Sequence, residues 1–200
     1  MKYIITILIF FSFQTIGRES GQTEITTDDG IEVFNKEKYY LVKTNVKIIS
    51  DEYELNADLV KAYFNKDLYD ITRIFSDGNA ALNSSSGIKA SGEKIDFDII
   101  NENFQIFGKK SLFINNELNM TSDKEIKINN TTGNFKINWP NSRLKTNKID
   151  ITGYLIEGKF TQLENVNEVE LLNVEDEAQI NIKTETLDMY ALRAEYDKKK

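Results

Sequence analysis

The chain contains no histidine and no cysteine. Without them there can be no Ser-His-Asp triad, no Cys-His pair, no thiolate nucleophile and no His/Cys zinc site. A disulfide framework is excluded as well. Any catalysis would fall to carboxylates, Lys, Tyr or hydroxyls. Basic residues are also in deficit, 25 against 32 acidic, for a net charge of −7. That argues against a protein that grips a nucleic-acid backbone, which needs a basic surface. Only one Pro, one Trp and four Arg are present, against 25 Ile, 21 Asn and 21 Lys. This skew reads as a coding bias of the source, so Asn or Lys at any one position carries little information. At 200 residues and 40% hydrophobic, the chain suits one domain and can bury a core without staples.

Residues 1–17 read MKYIITILIFFSFQTIG. One Lys precedes an apolar run from Tyr3 to Phe13, and polar or small residues begin at Gln14. This layout is that of a secretory signal peptide, with cleavage expected after residue 17 or 21. The run is too short to span a bilayer comfortably. An uncleaved anchor and an internal strand are the other two readings. No Cys follows it, which excludes a lipoprotein anchor.

Beyond about residue 30 the pattern has period two. Ile95, Phe97 and Ile99 alternate with Lys94, Asp96 and Asp98; Phe104 and Ile106 flank Gln105; Leu118 and Met120 flank Asn119; Phe135 and Ile137 flank Lys136. Such alternation makes strands with one dry face and one wet face. Turn chemistry separates the runs at 76–79, 84–87, Asn115-Asn116, 129–133 and 139–141. Residues 54–64 and 187–196 are ambiguous, with helix formers at helical spacing. A loose repeat bears on the first. Leu55-x-Ala57 recurs as Ile88-x-Ala90, Leu118-x-Met120 and Leu144-x-Thr146, and Asn103-Phe104-Gln105-Ile106 recurs as Asn134-Phe135-Lys136-Ile137. Equivalent rungs would make 53–64 a strand.

The carboxylate pair Asp96/Asp98 has the spacing of two groups on one strand face, wide enough for an acid-base pair. The plainer reading is a solvated face opposite Ile95, Phe97 and Ile99. The dry face is either a filled core or a trough for acyl chains, and composition does not choose.

The succession Gly30-Ile31-Glu32-Val33, Leu55-Asn56-Ala57-Asp58-Leu59-Val60, Phe75-Ser76-Asp77-Gly78-Asn79-Ala80, Ile88-Lys89-Ala90 with Ile95-Asp96-Phe97-Asp98, and Ile106-Phe107-Gly108 resembles the OstA-like (LptA) family of lipopolysaccharide-transport proteins. Ala194-Glu195-Tyr196-Asp197 is similar to a further rung. Departures are Thr44-Asn45-Val46 where the family has Gly-Asn-Val, Phe97-Asp98 for Tyr-Asp, and Lys109-Lys110 after Gly108. The resemblance implies an all-β fold over residues 25–200, an open V-shaped β-jelly roll of stacked antiparallel strands. It implies a periplasmic, non-enzymatic protein without cofactor or metal that binds lipid A acyl chains and bridges them toward the outer membrane. Its partners would be lipopolysaccharide, homologous jelly-roll proteins of the inner- and outer-membrane complexes, and further copies joined head to tail. The lipid would meet a diffuse apolar face: Leu55, Ala57, Ile88, Ala90, Ile95, Phe97, Ile99, Phe104, Ile106, Leu118, Met120, Phe135 and Ile137. The joining edges are expected near Lys38–Ile49 and Ile180–Tyr196. A membrane-anchored partner of the same pathway is the alternative within the class. An all-β carbohydrate-active enzyme or an adhesin is the alternative outside it.

Overall fold

The computed structural model of the protein describes residues 23–66, 70–163 and 166–198. The segment 1–17 lies outside the described residues. Among the described residues sixteen strands form one antiparallel sheet. They are β1 Glu24–Thr26, β2 Ile31–Phe34, β3 Tyr39–Ile49, β4 Tyr53–Phe64, β5 Ile71–Ser84, β6 Ile88–Asp98, β7 Asn103–Phe107, β8 Ser111–Asn115, β9 Leu118–Ser122, β10 Glu125–Asn129, β11 Asn134–Asn138, β12 Arg143–Lys145, β13 Asp150–Thr152, β14 Leu155–Leu163, β15 Val166–Lys183 and β16 Asp188–Asp197. The fold is therefore all-β, and the two ambiguous stretches are both strands. Their helix formers lose to pairing partners on the sheet, where the alternating faces are satisfied.

The long strands carry pairing irregularities part-way along. Pairing shifts register between Lys43 and Val46, Asn56 and Leu59, Asp77 and Ala80, and Glu175 and Ile180. A bulge bends its strand and sharpens the twist, so each long strand serves two layers. The first layer takes in β2, β7, β10, β11 and β14 and one half of each long strand. The second takes in β1, β8, β9, β12 and β13 and the other halves. The bends line up with the loops that carry the short strands between layers. Those loops bond one another in series: Gly108 N–H to Lys124 O at 2.9 Å, Asp123 N–H to Pro140 O at 2.6 Å, and Trp139 N–H to Tyr154 O at 2.9 Å. The result is a folded seam along one side of the roll and hairpin turns along the other.

The segment Ser76–Asn79 is not a turn, as its residue types suggest, but lies within β5. Gly78 (φ +80°) and Asn79 (φ +50°) serve the bulge instead. A Cβ on Gly78 would lie 2.3 Å from the Asp58 carboxylate, which accepts from Asn79 Nδ2 at 3.0 Å.

The edges also differ from expectation. β3 is covered by β1 along Lys47–Ile49 and by β2 along Tyr39–Val42. The loop between them holds the bulge of β3. Asp28 N–H donates to Thr44 O at 3.1 Å, and Asn45 Nδ2 donates to Asp28 at 2.5 Å. Lys38–Ile49 is thus an inner strand. At the other end Ile180 and Ile182 belong to β15, which is paired on both sides. Among the described residues β16 alone is the C-terminal edge.

Candidate functional site

The two layers press their apolar faces together. β10 lies against β8 and β9, and β11 against β9. Phe104 of β7 stacks on Phe97 of β6 with centroids 4.1 Å apart, and meets Phe113 of β8 edge-on at 5.5 Å. Buried side chains from both layers form one continuous core.

The structure places the sequence-derived face on the inside of this core. Leu55, Ala57, Ile88, Ala90, Leu118 and Met120 come from the second layer, and Ile95, Phe97, Phe104, Ile106, Phe135 and Ile137 from the first. Those twelve are buried, and Ile99 packs against the core just past β6. They do not gather at one point. Leu55 of β4 and Phe135 of β11 are separated by β5, β6, β7 and β10 in the sheet order. Thr146, aligned with Ala57 and Ala90 in the repeat, is only half-buried. Its hydroxyl accepts from Lys148 and Ile149 N–H at the β12–β13 turn.

Asp96 and Asp98 lie on the outer face. Arg73 grips Asp96 through two nitrogens. Asp98 accepts from Asn101, whose side-chain amide holds the Asp98 carboxyl below the ordinary carboxylate range. Neither carboxylate reaches the interior. Arg143 and Asp150 form a similar outer pair, which lowers the Asp150 pKa. Among the described residues no group of acidic side chains is arranged to hold a metal ion.

On the turn side the layers are tied across the middle by asparagines. Asn115 Nδ2 donates to Asn130 Oδ1 at 2.9 Å, and Asn167 Nδ2 donates to Asn115 O at 2.7 Å. Lys148 and Glu168 add an ion pair at 3.6 Å. Asn115 and Asn167 are buried, and Asn167 Oδ1 has no hydrogen-bond partner. On one side of this clasp the rims part around a cavity of about 680 Å³, edged by Ser86, Ile88, Glu102 and Phe160.

The interior is filled in the middle and accessible at the C-terminal end. There a cavity of about 570 Å³ is lined mainly by apolar side chains, among them Ile149, Ile151, Leu172, Ile182, Met189 and Ala194, together with Thr184, Arg193 and Glu195. Ile151 and Leu172 are also core residues, so the cavity opens directly onto the dry interior. Sequence reasoning missed this mouth. Its signal was present in Ile149-x-Ile151 and Ile180-x-Ile182, which continue the same alternation. The clasp asparagines carried no signal, being three among twenty-one.

Fold and interior together define an all-β roll with an apolar inside and a charged outside. No family model matches the chain, and no curated protein matches it. The solved structures that match it include LptH from Pseudomonas aeruginosa, described as the LptA-homologous periplasmic component of the conserved lipopolysaccharide transport device. It is 14% identical, with 54% of this chain and 76% of that chain covered and a TM-score of 0.46. At that identity and TM-score the likeness assigns no function to this chain.

Proposed function

We propose that the protein binds the acyl chains of lipopolysaccharide between its two layers and carries or bridges them through the periplasm toward the outer membrane. The observation that carries this reading is the apolar mouth between β13, β15 and β16, continuous with the core. An acyl chain entering there leaves water at a gain of roughly 0.8 kcal/mol per CH₂. The outer face offers it no comparably apolar cavity among the described residues, and many of its side chains are charged and paired. The resemblance in sequence names the ligand class, and the mouth gives that class a place to enter. The middle of the roll must then loosen as lipid advances, because Phe97, Phe104 and Phe113 already fill it. The same reading takes homologous rolls of the membrane complexes as partners, with β16 the edge left for them. Head-to-tail joining through β3 has no free edge to use.

A photocrosslinking side chain tests this in cells that make lipopolysaccharide. Placed at Ile182, which lines the mouth, it should capture lipopolysaccharide. At Asn181, its outward neighbour in β15, it should not. A second inward-outward pair is Phe97 against Asp96. Equal capture from both members of each pair, or none from either inward position, would overturn the reading.

A further inference from the structure

The two ends of the sheet are built differently. The N-terminal end is finished by β1 and β2, three and four residues long, interrupted by Asp28 and Asp29. Short, broken, charged edges are how sheets avoid pairing with other chains. β16 is longer and continuous, although Asp188, Arg193, Glu195 and Asp197 are charged. It runs ten residues without Pro, Gly or Lys and shows Met189, Tyr190, Leu192 and Tyr196 to solvent. Its outer edge pairs with nothing among the described residues.

The pattern along β16 says what can pair there. Met189 and Ala191 sit opposite Ile182 and Ile180, and Ala194 and Tyr196 sit opposite Val174 and Leu172. Those β15 residues belong to the core or pack against it, so 189, 191, 194 and 196 share the inner face. The register shift between Glu175 and Ile180 leaves Leu192 and Arg193 both outward. Read from 188 to 197, the order is out, in, out, in, out, then out, in, out, in, out. It is a palindrome about the bond between Leu192 and Arg193.

We infer that β16 is a two-fold docking edge for a second copy of this chain. Antiparallel pairing about that bond sets Leu192 opposite Arg193, Ala191 opposite Ala194, Tyr190 opposite Glu195 and Met189 opposite Tyr196. Every inward residue meets an inward residue, which a strand without the bulge could not achieve in this register. The first layer of one copy continues into the second layer of the other, and the bends coincide. The one like-charge pairing, Asp188 against Asp197, falls at the ends, where Lys183 already lies 3.4 Å from Asp188. The contact is isologous and closes at two, unlike a head-to-tail chain. It also places the two apolar mouths against each other, a consequence that rests on the lipid-binding reading. The dimer itself does not.

The natural absence of cysteine makes the test clean. Ala191→Cys and Ala194→Cys chains, purified lipid-free and mixed, should oxidise to a covalent dimer joining one of each. Either variant alone should not, because identical positions are offset by about 10 Å along the strands, beyond disulfide reach. Tyr190→Cys with Glu195→Cys is the second pair, since neighbouring pairs alternate in spacing. Sedimentation should show a concentration-dependent dimer. Leu192→Lys, on an exposed side chain, should raise its dissociation constant by about tenfold or more by setting Lys against Arg193, with an unchanged circular dichroism spectrum. A monomer at every concentration, or crosslinking that is the same for single and mixed variants, would overturn the proposal. Lipid capture at Ile182 with a monomeric protein would leave the functional reading standing and the dimer refuted.

Discussion

The middle of the roll and its C-terminal end carry the same alternation of apolar and polar residues, yet they become different things. In the middle, Phe113, Leu118 and Met120 of the second layer are fully buried beneath the first. At the end, Met189 and Tyr196 point to the same side of the sheet and remain 40% and 43% exposed. The difference is what lies opposite. Ring contacts from Phe104 close the middle, and the asparagine clasp holds its open side. Beyond the clasp no further strand among the described residues fills the space, so a dry face becomes a mouth. Burial in this fold is a property of layer pairs and not of strands.

The sharpest way to break the comparison is to empty the middle. Phe113→Ala removes a fully buried ring and should cost about 3–5 kcal/mol, read by urea denaturation. If it costs no more than a surface change, the middle is not packed and the contrast fails. Next comes the clasp. Asn167→Ala leaves the Asn115 carbonyl without its donor and should cost about 1–2 kcal/mol. Amide exchange at Asn115 and Asn116 should quicken while the long strands stay protected. Unchanged exchange there would separate the clasp from the closure of the open side.

Met189→Ala sharpens the other half of the comparison. An inward but accessible side chain should cost less than about 1 kcal/mol, while lipid capture from Ile182 falls. A loss as large as that of Phe113→Ala would mean the mouth is core. The smallest effect is expected on the outer skin. Arg143 depresses the Asp150 pKa, so this pair stabilises the fold above the unfolded-state value and the gain is lost as pH falls through the folded one. Solvent screening limits it to about a few tenths of a kcal/mol. Asp150→Asn should therefore flatten the pH dependence of stability slightly below about pH 4 and leave it untouched at neutral pH.

Much of the strand content and the inner face was legible because period-two alternation is written locally. Ile95-x-Phe97 and Phe104-x-Ile106 need no partner to announce which residues share a face. The repeat rightly made a strand of 53–64 against its helix formers. Turn chemistry was less dependable. Ser76-Asp77-Gly78-Asn79 has the composition of a turn, but positive φ is needed at a bulge as much as at a hairpin. Whether residues 39–49 were an edge could not be judged from their own apolarity. That depended on β1 and β2 returning to cover them, with Asp28 N–H donating to the Thr44 carbonyl while the Thr44 hydroxyl and the Asn45 amide donate to the Asp29 and Asp28 carboxylates.

By itself, then, the sequence determined the periodicity, the wet and dry faces, the absence of histidine and thiol chemistry, and the acidic exterior. Each of these is a property of residue types and their spacing. Only the tertiary structure decided where each long strand bends, which edge is sealed and which is bare, and where the dry interior meets water. Those outcomes rest on contacts between residues far apart in the chain, such as Asn115 with Asn167 and Val174 with Ala194. The pattern that lays out a face cannot say what will come to cover it.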